Sequence, residues 1–208
     1  MIRLYLDTCI LNDIFVLLQA ESEDGLRLHD VKQSIEQWIL EYVALYYLLN
    51  LDDQWELEFG SSPLLQEEIR NMRNSTLFLK KKKSTMMQLF DLLAEKPRFP
   101  KMLPVPDHLR EGVSKVLHDR KDIEHVCQAV LGRWDYFITT DFRSILVHAA
   151  KLKPLGLDAT SPRKFMEDNF LTLEEVVRTL HGSWTALEDI VRSWVNDITA
   201  SGRRSVPP

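Results

Sequence analysis

The sequence predicts an α/β fold built on a parallel sheet. Two short apolar segments, residues 2–6 and 136–140, each end abruptly at a carboxylate, Asp7 and Asp141. An apolar pattern with helical spacing follows each carboxylate, which is the order of parallel β/α units. Ligands of open α/β sheets bind at the carboxyl ends of the strands, and a buried strand that stops on Asp places its charge there. We therefore expect the two acids to belong to one site.

Strands are predicted where apolar residues form short runs or alternate with acidic residues. The segment WELEF at 55–59 alternates, whereas the other candidates are short apolar runs. The predicted strands cover residues 2–6, 55–59, 136–140 and 155–160.

Helices are predicted where apolar residues recur at helical spacing between polar or Pro-rich breaks. Ser62 followed by Pro63 indicates the N-cap and first turn of one such helix. Residues 21–30 and the Pro-rich residues 96–107 are predicted connections. The predicted helices cover residues 8–19, 31–51, 64–72, 74–95, 108–117, 122–131, 142–152, 173–180 and 184–198.

The helix predicted over residues 31–51 is apolar around most of its circumference. Such a helix is either central to the core or part of an interface, so simple packing and a homodimer both stay open. The longest apolar run, Trp38–Leu51, contains Glu41 and Asn50 and is too short to span a bilayer. We expect no membrane association.

The composition is that of one ordinary globular core. The chain has 208 residues, 45% of them hydrophobic, and a net charge of −5, so binding to nucleic acid would need a local basic patch or metal ions. Cys9 and Cys127 lie in apolar helical patterns, which favours reduced thiols and a cytoplasmic location. No basic segment precedes the first strand, and we expect no signal peptide.

Further acidic residues fall at the ends of predicted elements. Asp122 begins one helix, and Glu67 and Glu68 lie in the early turns of another. Several ionised carboxylates raise one another's pKa unless a cation neutralises them, and carboxylate oxygens suit Mg²⁺ or Mn²⁺. These ions activate water and bridge phosphate oxygens, so this pattern favours hydrolysis of a phosphodiester.

Five segments, taken in order, carry a resemblance to a known family. They are LYLDTCILN at 4–12, SPLLQEEI at 62–69, DIEHVCQA at 122–129, DYFITTD at 135–141 and ATSPRKF at 159–165. Together they resemble the PIN-domain nucleases, which include the VapC-type toxins. The resemblance covers about residues 1–168.

The resemblance implies a three-layer α/β/α fold with a central, mainly parallel sheet. A PIN-like nuclease domain would cover residues 1–168, with an apolar helical excursion at about 20–54, and a helical extension with a frayed tail would cover 169–208. Asp7, Glu68, Asp122 and Asp141 would be the catalytic and metal-binding residues, with Glu67 as an alternative to Glu68. Mg²⁺ or Mn²⁺ would be the cofactor. The residues around these acids would be Thr8, Asn12 and Thr140.

The hypothesis is thus a metal-dependent endoribonuclease that hydrolyses single-stranded RNA without a side-chain nucleophile. The toxin of a toxin–antitoxin pair is one form of this hypothesis, and an antitoxin protein would then mask the acidic groove. Two alternatives stay open: a catalytically idle PIN-like scaffold that binds RNA or a protein, and a DNA or flap nuclease of the same fold.

Two further groups of residues have competing interpretations. Arg70, Arg73 and Lys81 are candidates for substrate binding, against the alternative of a solvated helix face. His125 lies one turn after Asp122, and we interpret it as a hydrogen-bonded core or groove histidine rather than a metal ligand.

Overall fold

The computed structural model contains a four-stranded parallel sheet. It describes residues 1–13, 15, 41, 44, 45, 48, 57–94 and 102–169. The strands lie in the order β2–β1–β3–β4, and each neighbouring pair is parallel. The protein therefore has an α/β fold with a central parallel sheet, which confirms the prediction. The strands are β1 (Ile2–Leu6), β2 (Leu57–Gly60), β3 (Tyr136–Ile138) and β4 (Asp158–Thr160).

Helices follow or connect these strands. Residues 8–13 are helical, and 3₁₀ turns cover Leu146–His148 and Lys153–Leu155. Within the stretches that the structure describes, no helix combines the length and apolar character needed to cross a bilayer. The α-helices with described bounds are α1 (Pro63–Asn71), α2 (Leu77–Ala94), α3 (Asp107–Ser114), α4 (Arg120–Leu131), α5 (Ala149–Leu152) and α6 (Pro162–Asn169).

The chain divides into two compact units. The first comprises residues 1–12 and 52–161 and contains all four strands, and the second comprises residues 13–51 and 162–208. Within the second unit, the backbone N–H of Arg163 donates to Glu41 Oε2 at 2.9 Å. The boundary predicted between residues 168 and 169 stays a prediction.

The two predicted additions to the compact domain lie mostly outside the described residues. Of residues 20–54, the structure describes 41, 44, 45 and 48, which are helical and buried. It describes only residue 169 of the predicted extension over 169–208. The homodimer interface expected on residues 31–51 therefore stays a prediction.

The core of the first unit packs aromatic residues of the sheet against α3 and α4. Tyr5 stacks on Phe137 with 5.1 Å between ring centroids and meets the edge of Trp134 at 6.0 Å. The Arg3 guanidinium lies 4.6 Å from the centre of the Trp134 ring. Its Nη1 also donates to the carbonyls of Gly132 at 2.7 Å and Arg133 at 2.9 Å. Strand β1 is thereby fastened to the turn that follows α4.

Gly60, the last residue of β2, lies directly against the buried Trp134. A β-carbon at Gly60 would lie 2.3 Å from Trp134 Cη2, so one of the two groups would have to move. We expect Gly60→Ala to lower the free energy of unfolding by about 2 kcal/mol, measured by urea denaturation. Gly112→Ala is the control, because its β-carbon would meet only Leu155 Cδ2 at 3.6 Å. Equal midpoints for the two variants would contradict the expectation.

Residues 142–152 do not form the single helix that was predicted. The Asp141 carboxylate accepts the backbone N–H groups of Arg143 at 3.0 Å and Ser144 at 2.8 Å, which closes a tight turn. A 3₁₀ turn and the short α5 follow. The last strand is also shorter than predicted, because residues 153–155 form a 3₁₀ turn that ends at Gly156 with φ of 92°.

Candidate active site

Polar residues follow the carboxyl ends of three parallel strands, at one edge of the sheet. Asp7 comes directly after β1, and its backbone N–H donates to the carbonyl of Ile138 in β3 at 3.1 Å. Ser61 and Ser62 follow β2, and residues 139–141 follow β3. The edge therefore gathers side chains that lie more than a hundred residues apart in the chain.

Asp7 is buried, with 7% of its surface exposed, and its carboxylate is held by three donors. Its Oδ1 accepts the backbone N–H of Thr8 at 2.6 Å. Its Oδ2 accepts the Thr139 hydroxyl at 2.7 Å and the Cys9 thiol at 3.1 Å. These bonds offset the cost of burying the carboxylate and fix its orientation.

The Thr139 hydroxyl links two of the predicted acids. It donates to Asp7 and accepts the backbone N–H of Asp141 at 3.0 Å. Thr140, predicted to lie near these acids, donates its backbone N–H to Cys9 Sγ at 3.2 Å. Burial, followed by the charge of Asp7, raises the pKa of Cys9 well above its ordinary value, so the thiol stays protonated.

Asp141 is oriented by the turn that it closes. Besides the N–H groups of Arg143 and Ser144, its carboxylate accepts the Ser144 hydroxyl. Burial raises the pKa of Asp141, but the hydrogen bonds from Ser144 and Arg143 outweigh it and leave the pKa below its ordinary value. The carboxylate is therefore ionised at neutral pH.

Glu68, on α1, is joined to the residue that follows Asp7. The Thr8 hydroxyl donates to Glu68 Oε2, and Lys121 Nζ lies 3.4 Å from Oε1. Burial raises the pKa of Glu68, but the contact with His125, the hydrogen bond from Thr8 and the charge of Lys121 bring it down to about 2. Glu67, the alternative considered from the sequence, is exposed. Thr8 thus contacts Glu68 rather than its neighbour.

Asp122 lies in the first turn of α4, where Asp119 is the N-cap. The Asp119 carboxylate accepts the N–H groups of Lys121 at 2.8 Å and Asp122 at 3.3 Å. Burial and then the charges of Asp119, Asp7 and Asp141 raise the pKa of Asp122 to about 7. The charges of two other predicted acids therefore act on Asp122, although they come from distant parts of the chain.

His125 and Tyr5 form a buried contact beside Glu68 that the sequence analysis did not anticipate as a unit. The Tyr5 hydroxyl lies 2.7 Å from His125 Nδ1 and 2.8 Å from Ser62 Oγ. His125 Nε2 lies 3.4 Å from Glu68 Oε2. His125 is thus buried and hydrogen-bonded, in agreement with its interpretation as a core or groove histidine. Burial raises the pKa of Tyr5, so its hydroxyl keeps its proton.

A cleft of about 520 Å³ lies beside Glu68. It mixes three cations with acidic and polar groups, and the cations are not those proposed from the sequence. Their proximity depends on how α3 packs on α4, which no run of charges along the chain reveals. The cleft is lined by Leu64, Glu67, Glu68, Asn71, Arg110, Arg120, Lys121, Glu124 and His125.

The basic residues proposed from the sequence lie elsewhere. Arg70, Arg73 and Lys81 are exposed on or between α1 and α2, and none of them lines the cleft. Their role in substrate binding stays a prediction. Asn12, expected near the acids, accepts a hydrogen bond from Lys82 Nζ.

The donor chemistry of this edge fits a hard divalent cation, because the four predicted ligands are all carboxylates. Burial and then the charges of Asp119, Asp7 and Asp141 raise the pKa of Asp122, and a cation would relieve the part of that rise that comes from the neighbouring carboxylates. Among the described residues, however, no three or more His, Cys, Asp or Glu side chains are grouped so that together they could hold a metal ion. The site therefore fits a divalent cation in the type of its donor atoms and in their charge.

Comparison with known proteins identifies no relative: no family model, no curated protein and no solved structure matches this chain.

Proposed function

We propose that this chain is a divalent-metal-dependent endoribonuclease of the PIN type that hydrolyses single-stranded RNA. The observation that carries the proposal is that one hydroxyl, that of Thr139, donates to the Asp7 carboxylate and accepts the backbone N–H of Asp141, so two of the predicted acids meet at the same edge of the sheet. Carboxylates that repel one another in a folded protein are costly unless a cation offsets them. Phosphodiester hydrolysis is the chemistry that such a cation serves best.

In this proposal Asp7, Asp122 and Asp141 hold Mg²⁺ or Mn²⁺, and Glu68 holds the ion or orients the attacking water. When bound, the ion lowers the pKa of a coordinated water and offsets charge on the phosphate. The protein orients the ligands in advance: Thr139 holds Asp7, and the turn at Ser144 holds Asp141. Thr8 holds Glu68. Such preorganisation lowers the reorganisation cost of the reaction.

The cleft cations offer the local positive charge that RNA binding requires in a chain of net charge −5. Lys121 is the best placed, because its ammonium lies 3.4 Å from Glu68 Oε1 and its side chain is 70% exposed. Arg110 pairs with Glu124 at the shorter distance of 2.9 Å, and its side chain is less exposed, at 46%. We therefore assign Lys121 a contact with a phosphate near the scissile bond.

We expect Lys121→Gln to raise the KM for a single-stranded RNA several-fold and to reduce the salt dependence of binding by about one counterion. Cleavage assays and fluorescence anisotropy over a range of salt concentrations measure both effects. The control is Lys151→Gln on α5, where an exposed lysine is removed outside the lining of the cleft. Identical salt slopes for the two variants would remove Lys121 from the site.

A catalytically idle scaffold is the second candidate, and one observation favours it. The described carboxylates approach closely enough to interact but are not grouped as the ligands of an ion. Calorimetric titration with Mn²⁺, carried out on the wild type and on Asp7→Asn, distinguishes the two functions. Metal-linked heat in the wild type alone supports the nuclease, and its absence from both proteins supports the scaffold.

The substrate class and the partners are further parts of the proposal. Competition among labelled single-stranded RNA, single-stranded DNA and branched DNA separates a ribonuclease from a DNA or flap nuclease. An antitoxin protein would be encoded by a neighbouring reading frame, which genome context reveals. Light scattering at micromolar concentration tests the homodimer, and a monomeric mass would count against it.

A further inference from the structure

His125 is almost completely buried on α4 and lies between two functional groups of the sheet edge. Its Nδ1 lies 2.7 Å from the Tyr5 hydroxyl, which is the distance of a good hydrogen bond. Its Nε2 is also buried, and it makes no hydrogen bond of ordinary length. That nitrogen points to Glu68 Oε2, 3.4 Å away. The proposed reaction gives His125 no role so far.

The position of the ring is fixed from the side of the core. Tyr5 is fully buried, stacked on Phe137, and lies edge-on to His125 with 5.9 Å between centroids. Its hydroxyl is also 2.8 Å from Ser62 Oγ, so the phenol is held at both its ring and its oxygen. A ring attached to such a rigid group cannot rotate freely about χ2. The direction of Nε2 is therefore set by the core.

Nε2 directs either an N–H or a lone pair at Glu68. Which one it is depends on where the single proton of the Tyr5 hydroxyl goes. If Tyr5 donates to His125 Nδ1, the neutral ring carries its hydrogen on Nε2. If Tyr5 donates to Ser62, Nδ1 donates to the phenol oxygen, and Nε2 carries a hydrogen only when the ring is also charged. In the third form the ring is neutral and its hydrogen is on Nδ1. Nε2 would then direct a lone pair at the Glu68 carboxylate.

That remaining form is disfavoured by electrostatics. Glu68 Oε2 accepts the Thr8 hydroxyl and Lys121 Nζ lies 3.4 Å from Oε1, so the carboxylate acts as an acceptor on both oxygens. Its side chain is only 16% exposed, so solvent screens little of the repulsion from a lone pair. An N–H at the same position is attracted to the carboxylate. Both acceptable proton arrangements therefore place a hydrogen on Nε2, directed at Glu68 Oε2.

We propose that His125 is a positioning residue that directs an Nε2–H at Glu68 and is itself aimed by Tyr5. His125 and the Thr8 hydroxyl then hold Glu68 Oε2 from two sides, one from α4 and one from the end of β1. The consequence for catalysis rests on the proposed function, since it assumes that Glu68 acts on the metal or the water. The proton arrangement itself does not depend on that function.

Nitrogen NMR of the full-length protein tests the proton arrangement directly. We expect His125 Nε2 to resonate as a protonated nitrogen with a crosspeak that persists against exchange, because the site is buried. In Tyr5→Phe, which keeps the ring and removes the hydroxyl, we expect this signal to shift and to lose its protection. A His125 Nε2 that resonates as an unprotonated nitrogen in the wild type would overturn the proposal, whether or not the protein cuts RNA.

Kinetics provide the second test. We expect His125→Ala to lower kcat about tenfold with little change in KM, and His125→Gln to recover most of the loss, since its amide can offer an N–H near the position of Nε2. His108→Ala, at an exposed histidine of α3, is the control. Equal losses in the Gln and Ala variants would overturn the positioning role. Wild-type protein that lacks nuclease activity but shows the expected NMR signal would refute the proposed function alone.

Discussion

Asp7→Asn and Asp141→Asn are each expected to reduce cleavage of labelled single-stranded RNA by at least about a hundredfold. Each change removes one negative charge from the sheet edge and keeps the shape of the side chain. An Asn at position 7 still offers an oxygen to the backbone N–H of Thr8, and one at position 141 still accepts from Arg143 and Ser144. We therefore expect both variants to keep the thermal stability of the wild type within a few degrees.

The control for these variants is Asp135→Asn. Asp135 immediately precedes β3, at the opposite end of the strand from Asp141, and accepts the backbone N–H of Arg3 at 2.8 Å. The same charge is removed there from the other edge of the sheet. Cleavage should be unchanged in this variant. If Asp7→Asn cuts RNA as fast as Asp135→Asn does, the assignment of the active site is wrong.

The affinity for Mn²⁺ is expected to fall about tenfold for each pH unit below about 7 and to level off above it. The reason is the pKa of Asp122, which burial and the charges of Asp119, Asp7 and Asp141 raise to about 7. Below that pH, a bound ion must displace the proton of Asp122. Calorimetry from about pH 5 to pH 8 measures the slope, and Asp122→Asn should bind more weakly with a shallower slope. Equal slopes would exclude Asp122 as a ligand.

The affinity for Mn²⁺ should rise with pH, whereas the stability of the metal-free protein should fall as the pH rises. The pKa of Asp122 is raised by folding from 3.8 to about 7, so the unfolded chain loses this proton first as the pH rises. The contribution of protonated Asp122 to the free energy of unfolding is complete below about pH 4 and is lost as the pH rises through about 7. Thermal melts should show Asp122→Asn gaining several degrees over the wild type at pH 8 and little at pH 4. A constant difference between them would contradict this.

The carboxyl edge was predictable because both central strands carry their signal in adjacent residues. Because the apolar run before Asp7 or Asp141 is a buried strand, the carboxylate that ends it must lie at the edge of the sheet. The structure places both acids at that edge. Asp122 was singled out by its position at the start of a helix, whereas position left Glu67 and Glu68 open and the resemblance favoured Glu68. Their approach to the edge depends on how α1 and α4 pack, which periodicity alone does not determine.

Three features could not be predicted from the sequence, because local hydrogen bonds and helix packing determine them. The sequence offers two threonines before Asp141, and only the end of β3 decides that Thr139 is the one that reaches Asp7. Apolar spacing predicted one helix over residues 142–152, but the backbone N–H of Leu146 donates to the carbonyl of Asp141, five residues back, and that of His148 to Ile145, three residues back, so the four-residue spacing of an α-helix is interrupted. Lys80 to Lys83 form a continuous run of charge in the sequence, whereas the three cleft cations come from two helices, Arg110 from α3 and Arg120 and Lys121 from α4.

Arg3 links the positions of two acids that it does not touch. Its guanidinium donates to the carbonyls of Gly132 and Arg133, just beyond the helix that bears Asp122. Its own strand ends at Leu6, one residue before Asp7. The strand that leads to Asp7 and the helix that bears Asp122 are thus joined by a brace at the turn after that helix, away from the carboxylates themselves. Damage to that brace, as in Arg3→Gln, should alter how tightly an ion is held without changing any group that could touch it.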